Sequence, residues 1–297
     1  MHRTTVLLTA LFALLAIAPG AEATLPGKNG RLLVVSPLFG SCDPNGCFTD
    51  ALRAYSPRTG RRLAFGDACA TATKCVITRA SGAPDGSLVL SERSISREGM
   101  GRFQLVRRAA DGSAPSVIAD GLLDPAWSPD GRYIAARGLN GGLFVLSSDG
   151  TQRRLVTRRS AFDLDWSSRG LLAFERSGRI YVIRPDGTGF RRVARDAEGG
   201  PSWSPDGRRI AFACGLRPFR DRALRVRIDV CTVAAAGRDR RRVVRNAIHP
   251  AWSPDGRRLA FVRKRRVGIA RPDGTGQRIL FKSPEFPKTL TWLPALG

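Results

Sequence analysis

The sequence predicts an all-β fold, a six-bladed β-propeller with four antiparallel strands in each blade. The first observation is a ten-residue phrase, WSPDGRRLAF, which begins at Trp252 and recurs with few changes from Trp203 and from Trp127. The second is the spacing of the tryptophans, at positions 127, 166, 203, 252 and 292, which matches propeller blades of about 40 to 45 residues. The third is that turn glycines fall into two phased series.

Each repeat reads as four short strands, A to D, joined by tight turns. Ser-Pro-Asp-Gly predicts the A–B turn because Pro presets the second position of a type I turn, Asp tolerates the third and Gly accepts positive φ. A second turn, such as Pro185-Asp186-Gly187-Thr188, separates strands C and D. The predicted A–B turn glycines are Gly30, Gly86, Gly131, Gly170, Gly207 and Gly256, and the C–D glycines are Gly60, Gly112, Gly150, Gly187, Gly237 and Gly274. Each series therefore predicts six blades, one of them a degraded copy with Gly82 in the tryptophan position.

The two ends of the predicted propeller complete each other. The segment Lys28–Val34 reads as a B strand without its A strand, and Leu290–Pro294 reads as an A strand without its B strand. Pairing these segments closes the ring and removes the unpaired backbone groups of an open seam.

These residues resemble a known family. The phrase Trp-Ser-Pro-Asp-Gly-Arg-Arg-Ile/Leu-Ala-Phe, followed by Pro-Asp-Gly-Thr-Gly, is similar to the WD40-like (PD40) repeat of TolB-type six-bladed propellers. The resemblance covers nearly the whole chain after its first residues and implies the propeller fold. TolB carries an additional α/β domain before its propeller, and this sequence has no room for one. The family's periplasmic role with lipoproteins is therefore not transferred to this chain.

Residues 1–23 are predicted to be a signal peptide, and residues 24–297 to be a single propeller domain. The first segment has a basic residue at Arg3, an apolar run from Val6 to Ala18, and Ala21-Glu22-Ala23 as a cleavage site. The apolar run is shorter than the roughly 20 residues that cross a bilayer. We expect an exported protein, extracellular, periplasmic or associated with the cell envelope, with no membrane span after removal of the signal.

The formal net charge of +24 indicates a polyanionic partner such as an anionic cell-wall polymer. A structural explanation is also available, because arginine pairs recur in phase at the predicted D strands, where charge discourages edge-to-edge aggregation. These pairs are Arg61-Arg62, Arg153-Arg154, Arg191-Arg192 and Arg241-Arg242. We find no nucleic-acid-binding module, so no specific nucleic-acid partner is expected, and the predicted state is a monomer.

Six cysteines in an exported chain predict disulfides rather than metal ligands. The spacing favours local pairs, with Cys214 on strand B and Cys231 on strand C of one blade. The remaining cysteines are Cys42, Cys47, Cys69 and Cys75, for which pairs 42–47 and 69–75 are favoured and crossed pairing stays open. No metal site is expected.

Strand direction places the A–B and C–D turns on one face, here called the turn face, and the B–C and D–A connections on the other, called the loop face. The longest connections belong to the loop face: 36–50, 66–78, 92–101 and 215–223. Because loops on a rigid scaffold commonly carry binding residues, we expect Phe39, Phe48 and Phe219 to contribute to a binding surface.

The residue three positions before each tryptophan position is predicted to begin an inner strand near the channel mouth on the loop face. Those residues are Arg79, Asp124, Asp163, Gly200, His249 and Thr289. Two carboxylates, an imidazole and a guanidinium predict a site for a ligand or a cation formed by Arg79, Asp124, Asp163 and His249. Ordinary polar lining of a propeller channel is the alternative.

The motifs favour a binding scaffold for a protein, such as an envelope protein, or a polymer over an enzyme. No Gly-x-Ser-x-Gly, P-loop or dinucleotide fingerprint is present, so we assign no catalytic residue and expect no cofactor. The alternative is a hydrolase or lyase with its site at the channel mouth, in which His249 is the one histidine after the predicted signal. Nonspecific electrostatic adhesion is a third hypothesis.

Overall fold

The computed structural model describes residues 29–38, 49–64, 75–96, 99–215 and 228–295, and all regular structure in these ranges is β-strand. The strands are β1 (Asn29–Leu38), β2 (Thr49–Tyr55), β3 (Arg62–Leu63), β4 (Cys75–Gly82), β5 (Leu88–Ser96), β6 (Gly99–Arg108), β7 (Ser116–Asp120), β8 (Leu122–Trp127), β9 (Tyr133–Gly138), β10 (Leu143–Ser147), β11 (Arg153–Thr157) and β12 (Phe162–Trp166). They continue with β13 (Leu172–Glu175), β14 (Arg179–Ile183), β15 (Arg191–Arg195), β16 (Ala197–Trp203), β17 (Arg209–Gly215), β18 (Ile228–Ala234), β19 (Arg241–Val244), β20 (Ile248–Trp252), β21 (Leu259–Arg263), β22 (Arg266–Ala270), β23 (Arg278–Lys282) and β24 (Thr289–Pro294).

These strands form six four-stranded antiparallel sheets, each of which is one blade. Blade 1 has the strand order β24-β1-β2-β3, and blades 2 to 6 each consist of four consecutive strands from β4 onward. The innermost strands β24, β4, β8, β12, β16 and β20 contact one another in a closed circle. The predicted six-bladed β-propeller is therefore confirmed.

The A–B turns have the geometry that Ser-Pro-Asp-Gly predicts. In blade 5 the Gly207 N–H donates to the Ser204 carbonyl oxygen at 2.8 Å, and the Ser204 hydroxyl donates to Asp206 Oδ1 at 2.6 Å. The prediction is wrong for Gly30, which lies within β1 because blade 1 has no covalent A–B turn. A Cβ at Gly30 would lie 2.0 Å from the Pro294 carbonyl oxygen, so the ring closure requires glycine there.

The repeated tryptophans pack between blades. Trp203 of β16 is fully buried among apolar side chains of blades 4 and 5, including Val182 and Phe212. Gly82 takes the tryptophan position in blade 2, where a Cβ would lie 2.2 Å from Leu293 Cδ2. Leu293 of β24 therefore fills the space beside Gly82.

Arginines of the outer strands join three blades to the blade that follows them. Guanidinium groups donate to backbone carbonyl oxygens in the C–D turn of the following blade, from Arg154 to Pro185 at 2.6 Å and from Arg191 to Ala235 at 2.8 Å. Arg278 donates in the same way to Arg58 across the ring closure at 3.2 Å. Some of the paired arginines therefore join neighbouring blades, in addition to discouraging aggregation at the outer edge of the sheet.

The ring closes by pairing β1 with β24, as the sequence predicts. Leu32 faces Trp292 and Val34 faces Leu290 in this antiparallel ladder. The buried Asp50 stabilises the closure because its carboxylate contacts Lys288 Nζ at 2.7 Å, just before β24. The same side chain accepts the Ile77 N–H of blade 2 at 2.9 Å.

The predicted signal peptide, residues 1–23, lies outside the described residues and stays a prediction. Within the described ranges, the structure contains no helix of the length and hydrophobicity that a membrane span requires.

Candidate functional site

The predicted mouth residues occupy a recurring irregularity of the inner strands. Asp124, Asp163 and His249 have left-handed φ values of 52°, 53° and 50°. In each of the three strands the pairing between the inner strand and its neighbour shifts register at this point. Such bulges redirect a side chain, and Asp and His are among the non-glycine residues that most often adopt this conformation. Backbone geometry therefore contributes to the choice of residue here.

Arg79 and Asp163 meet across the ring. Arg79 lies on β4 of blade 2 and Asp163 on β12 of blade 4, with Arg79 NH1 3.4 Å from Asp163 Oδ1. The two residues belong to blades that are not neighbours, because blade 3 lies between them. The ion pair therefore spans the inner strand of blade 3 on the side of the central opening. Gly200 of blade 5 makes room for it, since a Cβ there would lie 2.3 Å from Asp163 Cβ.

His249 of blade 6 completes this group from a third direction. Burial lowers the pKa of His249, the Asp163 carboxylate acts in the opposite direction, and the Arg79 charge lowers the pKa further. The imidazole is therefore neutral at pH 7 and interacts electrostatically with both charged groups. Blades 2, 4 and 6 each supply one functional group to the mouth.

Asp165 belongs to the same group, although the repeat pattern did not single it out. Its carboxylate accepts the Trp203 N–H at 2.6 Å and the Trp166 N–H at 3.0 Å, which ties blade 4 to blade 5. Removal from water raises the pKa of Asp165 to about 6, against these hydrogen bonds and the charge of Arg79, which lower it. We call Arg79, Asp163, Asp165 and His249 the mouth cluster.

A comparison between repeats would have identified Asp165. Ser81 and Ser202 precede the tryptophan position in blades 2 and 5, and their hydroxyls accept the N–H of Trp127 and Trp252 in the next blade. A neutral hydroxyl is thus sufficient for the inter-blade bond. The carboxylate at this position in blade 4 adds a titratable group on which the Arg79 charge acts.

Asp124 does not share this contact, because a neighbour in its own blade engages it. Arg137 Nε lies 2.8 Å from Asp124 Oδ2, and both side chains are largely buried. The Arg137 guanidinium also stacks over the Phe162 ring, with 4.7 Å from its central carbon to the ring centroid. Asp124 therefore forms a neighbouring ion pair, which the sequence did not indicate.

Two glutamates extend the acidic character of this region. Burial raises the pKa of Glu175 on β13, and the charges of Asp163 and Glu198 act in the same direction, while a hydrogen bond from the Gly178 N–H opposes them. Glu198 lies on β16, against Gly215 of the adjacent strand. The mouth thus concentrates carboxylates in a chain whose net charge is +24.

The described residues contain no group of three or more His, Cys, Asp or Glu side chains arranged to hold a metal ion. A separate cleft of about 380 Å³ lies at the outer part of blade 5, beside the Cys214–Cys231 disulfide. Its acidic side chains face arginines, with Asp229 3.5 Å from Arg242 and Asp196 3.3 Å from Arg240.

The other predicted site residues divide into two sets. The disulfide between Cys214 and Cys231 is present, with 5.8 Å between the Cα atoms, and Cys75 is also disulfide-bonded. The remaining predicted residues lie outside the described ranges: Phe39, Phe48, Phe219, Cys42, Cys47 and Cys69.

No protein-family model matches the sequence, and no curated protein sequence matches it. Solved structures show the fold. TolB from Acinetobacter baumannii is 18% identical with a TM-score of 0.67, and the match covers 91% of this chain and 68% of that one. A putative TolB from Agrobacterium tumefaciens is 21% identical with a TM-score of 0.60, over 89% of this chain and 99% of that one.

A chain from a nidogen–laminin complex is similar to the same extent. It is 15% identical with a TM-score of 0.62, and the match covers 89% of this chain and 98% of that one. The chain thus has a TolB-like six-bladed propeller fold, and its function has to be argued from its own surface.

Proposed function

We propose that this protein is an exported propeller that acts as a scaffold and binds an envelope protein or an anionic cell-wall polymer through its loop face. The connections 39–48, 64–74 and 216–227 all join strand ends on this face. The opposite face carries tight turns closed by short hydrogen bonds. Long connections on a rigid ring are a common location for binding residues.

The observation that carries the proposal is the position of the exposed apolar side chains. Leu139, Phe162 and Phe286 are 46%, 41% and 57% exposed, and all three lie on the loop face, in B–C or D–A connections or at the start of an inner strand. The other exposed large apolar residues of the described ranges are on outer strands: Val117, Leu155 and Ile279. Exposed apolar side chains, aromatic ones in particular, are candidates for the buried centre of a protein interface.

Two further observations support export and a polymer as a partner class. The buried Cys214–Cys231 disulfide favours an oxidising compartment, because such bonds persist outside the cytoplasm. The net charge of +24 attracts polyanions, although some arginines are engaged in joining blades. We expect the protein to act as a monomer, which light scattering on the purified chain tests.

The experiment compares capture of envelope components by two matched variants. Phe162→Ser with Phe286→Ser alters the loop face, and Val117→Ser with Ile279→Ser removes equally exposed apolar groups from the outer strands. We expect at least a tenfold loss of specific partner binding in the first variant and none in the second. An equal loss in both would refute the loop face, and deletion of residues 42–47 provides an independent alteration of the same face.

Salt distinguishes a specific polymer complex from general adhesion. Nonspecific binding to an anionic polymer weakens steeply as salt rises and affects both variants alike. A specific complex retains its dependence on Phe162 and Phe286 at moderate salt. Binding that disappears by about 200 mM salt in every variant would leave only electrostatic adhesion.

An enzyme with its site at the channel mouth is the second candidate. The convergence of Arg79, Asp163 and a neutral His249 favours it, since a neutral imidazole is suited to proton transfer near pH 7. A hydrolase or lyase activity on envelope polymers should then fall at least a hundredfold in His249→Gln and stay unchanged in the Phe286→Ser variant. Equal activity of His249→Gln and wild type excludes this mechanism.

A further inference from the structure

We propose that the mouth cluster binds a small zwitterion of the α-amino acid class, whose carboxylate contacts Arg79 and His249 and whose ammonium group contacts Asp163. The proposal concerns a small molecule at the centre of the ring. It does not depend on the partner surface around Phe162 and Phe286.

Arg79 has donors available for a ligand. Its side chain is only 16% exposed, and a guanidinium carries five N–H donors. Within the described part of the chain its one hydrogen bond is the 3.4 Å contact with Asp163 Oδ1. Charge-assisted hydrogen bonds are usually about 2.7 to 2.9 Å long. The pair is therefore held close together but is not tightly bonded.

Asp163 has an accessible carboxylate in a fixed position. Its side chain is 38% exposed, and it packs directly against the backbone of Gly200, where a Cβ would lie 2.3 Å from Asp163 Cβ. The bulge of β12 and its left-handed φ fix the direction in which the side chain leaves the strand. An ammonium group at the mouth can therefore reach this carboxylate.

The signs of the neighbouring charges favour a ligand that carries both a positive and a negative charge. A simple anion at Arg79 would lie beside the carboxylates of Asp163 and Asp165. A simple cation at Asp163 would lie beside the Arg79 guanidinium. Like charges at such distances repel, whereas an α-amino acid has its two opposite charges about as far apart as those of the Arg79–Asp163 pair.

His249 provides the third contact. It remains neutral because burial and the Arg79 charge lower its pKa, so one ring nitrogen donates and the other accepts. Because the Arg79 charge acts on His249, the imidazole lies in the same region and can offer a second donor to a ligand carboxylate.

The first test measures binding of the full chain by calorimetry and by ligand-observed NMR, using glycine and the other α-amino acids as probes. N-acetylglycine lacks the ammonium charge and glycinamide lacks the carboxylate. We expect saturable binding of at least one α-amino acid and at least tenfold weaker binding of its N-acetyl and amide derivatives. No saturable binding up to about 100 mM, or equal binding of the blocked derivatives, overturns the proposal.

The second test assigns the two charges to their residues. Arg79→Gln and Asp163→Asn should each weaken binding at least tenfold, and Asp163→Asn should also abolish the preference for the free amino acid over its N-acetyl derivative. Asp124→Asn is the matched control, because it also changes an aspartate with left-handed φ but belongs to the separate pair with Arg137.

The variants must retain the wild-type circular dichroism spectrum, and Asn preserves the tolerance for left-handed φ at both aspartate positions. If folded Arg79→Gln and Asp163→Asn bind the amino acid as the wild type does, the ligand lies elsewhere. A loss in Asp124→Asn equal to that in Asp163→Asn would also contradict the assignment.

Discussion

At the scale of single residues, Gly150 shows why the C–D turns of this propeller contain glycine. Its φ is +77°, and a Cβ there would lie 2.0 Å from the Ile118 carbonyl oxygen of the preceding blade. Gly170 has a similar φ of +71° but no atom within 4 Å of the added carbon. Glycine is therefore required at position 170 only because φ is positive. At position 150 it is also required because a side chain would clash with the preceding blade.

Replacing these glycines by alanine should have unequal effects. Gly170→Ala should lower the free energy of unfolding by about 1 to 2 kcal/mol, since only the left-handed backbone opposes it. Gly150→Ala should lower it by about 3 kcal/mol or more, since the blades must also move apart. Urea unfolding of both variants checks this, and equal losses would show that blade contact does not set the requirement.

Asp165 is a second residue whose role depends on its surroundings. Its pKa is about 6 in the folded protein, whereas an aspartate exposed to water in an unfolded chain has its ordinary pKa of 3.8. The folded state therefore holds the proton more tightly than the unfolded state between these pH values. It follows that the contribution of Asp165 to stability falls as pH rises from about 4 to about 6, by up to about 3 kcal/mol.

The variant Asp165→Ser should remove this pH dependence, because serine fulfils the same inter-blade role in blades 2 and 5. We expect its stability relative to wild type to improve between pH 4 and pH 7 in a series of thermal melts. Asp149→Ser is the control of opposite sign at lower pH: hydrogen bonds from Ser147 and Thr151 lower the pKa of Asp149 to about 2, so the stability of this variant relative to wild type should fall as pH rises from about 2 to about 4 and stay level above that. A pH-independent difference for Asp165→Ser would contradict the assignment.

At the scale of elements, the outer strands are linked to their neighbours by more than apolar packing. Arg191 and Arg192 at the start of β15 are both exposed, but only Arg191 reaches the Ala235 carbonyl oxygen in the C–D turn of blade 5, and the Arg192 side chain has no hydrogen bond among the described residues. The first side chain thus connects two blades, and the second contributes charge to the surface. The paired arginines have divided roles.

This division predicts a difference between two otherwise similar substitutions. Arg191→Met should lower the free energy of unfolding by about 1 kcal/mol, the usual net contribution of one hydrogen bond, and Arg192→Met should change it by less than about 0.5 kcal/mol. Guanidinium unfolding midpoints at matched salt measure both. If Arg192→Met is as destabilising as Arg191→Met, general charge effects rather than the bond to blade 5 explain the loss.

At the scale of the whole molecule, stability depends on the closure between β1 and β24. The closing strand buries Leu290, Trp292 and Leu293, which are 7%, 7% and 3% exposed. Full burial of each such side chain contributes about 1.5 to 3 kcal/mol. Their sum is comparable with the total stability of an ordinary domain, about 5 to 15 kcal/mol.

Removing residues 284–297 should therefore abolish the cooperative melting transition and cause aggregation, because β1 becomes an open edge. Removing residues 295–297 alone should leave the transition within a few degrees of wild type. Size-exclusion chromatography and thermal melts distinguish the two. A cooperative, monomeric protein after the longer truncation would show that the ring does not need its closing strand.

The architecture could be predicted because it repeats. Turn signals such as Ser253-Pro254-Asp255-Gly256 act through local backbone preferences, and the periodic tryptophans fix the phase of the blades. Gly30 was misassigned for the same reason: its phase suggested a turn, while its neighbour Pro294 is 264 positions away in the chain.

The candidate site could be predicted only in part. The positions of Arg79, Asp163 and His249 within their repeats predict that all three lie at one mouth. The repeat positions do not reveal that Arg137 neutralises Asp124. That contact depends on how far a long side chain extends from a neighbouring strand. Asp165 was missed because the prediction used the residue three positions before each tryptophan, whereas Asp165 directly precedes Trp166.

By itself the sequence determined the number of blades, the turn chemistry, the strand that closes the ring and the Cys214–Cys231 pairing, because each follows from local preferences repeated at a fixed interval. Only the tertiary structure decided which charges meet. Arg79 of blade 2 and Asp163 of blade 4 are far apart in the chain, and their contact depends on bulge geometry and on the absence of a side chain at Gly200.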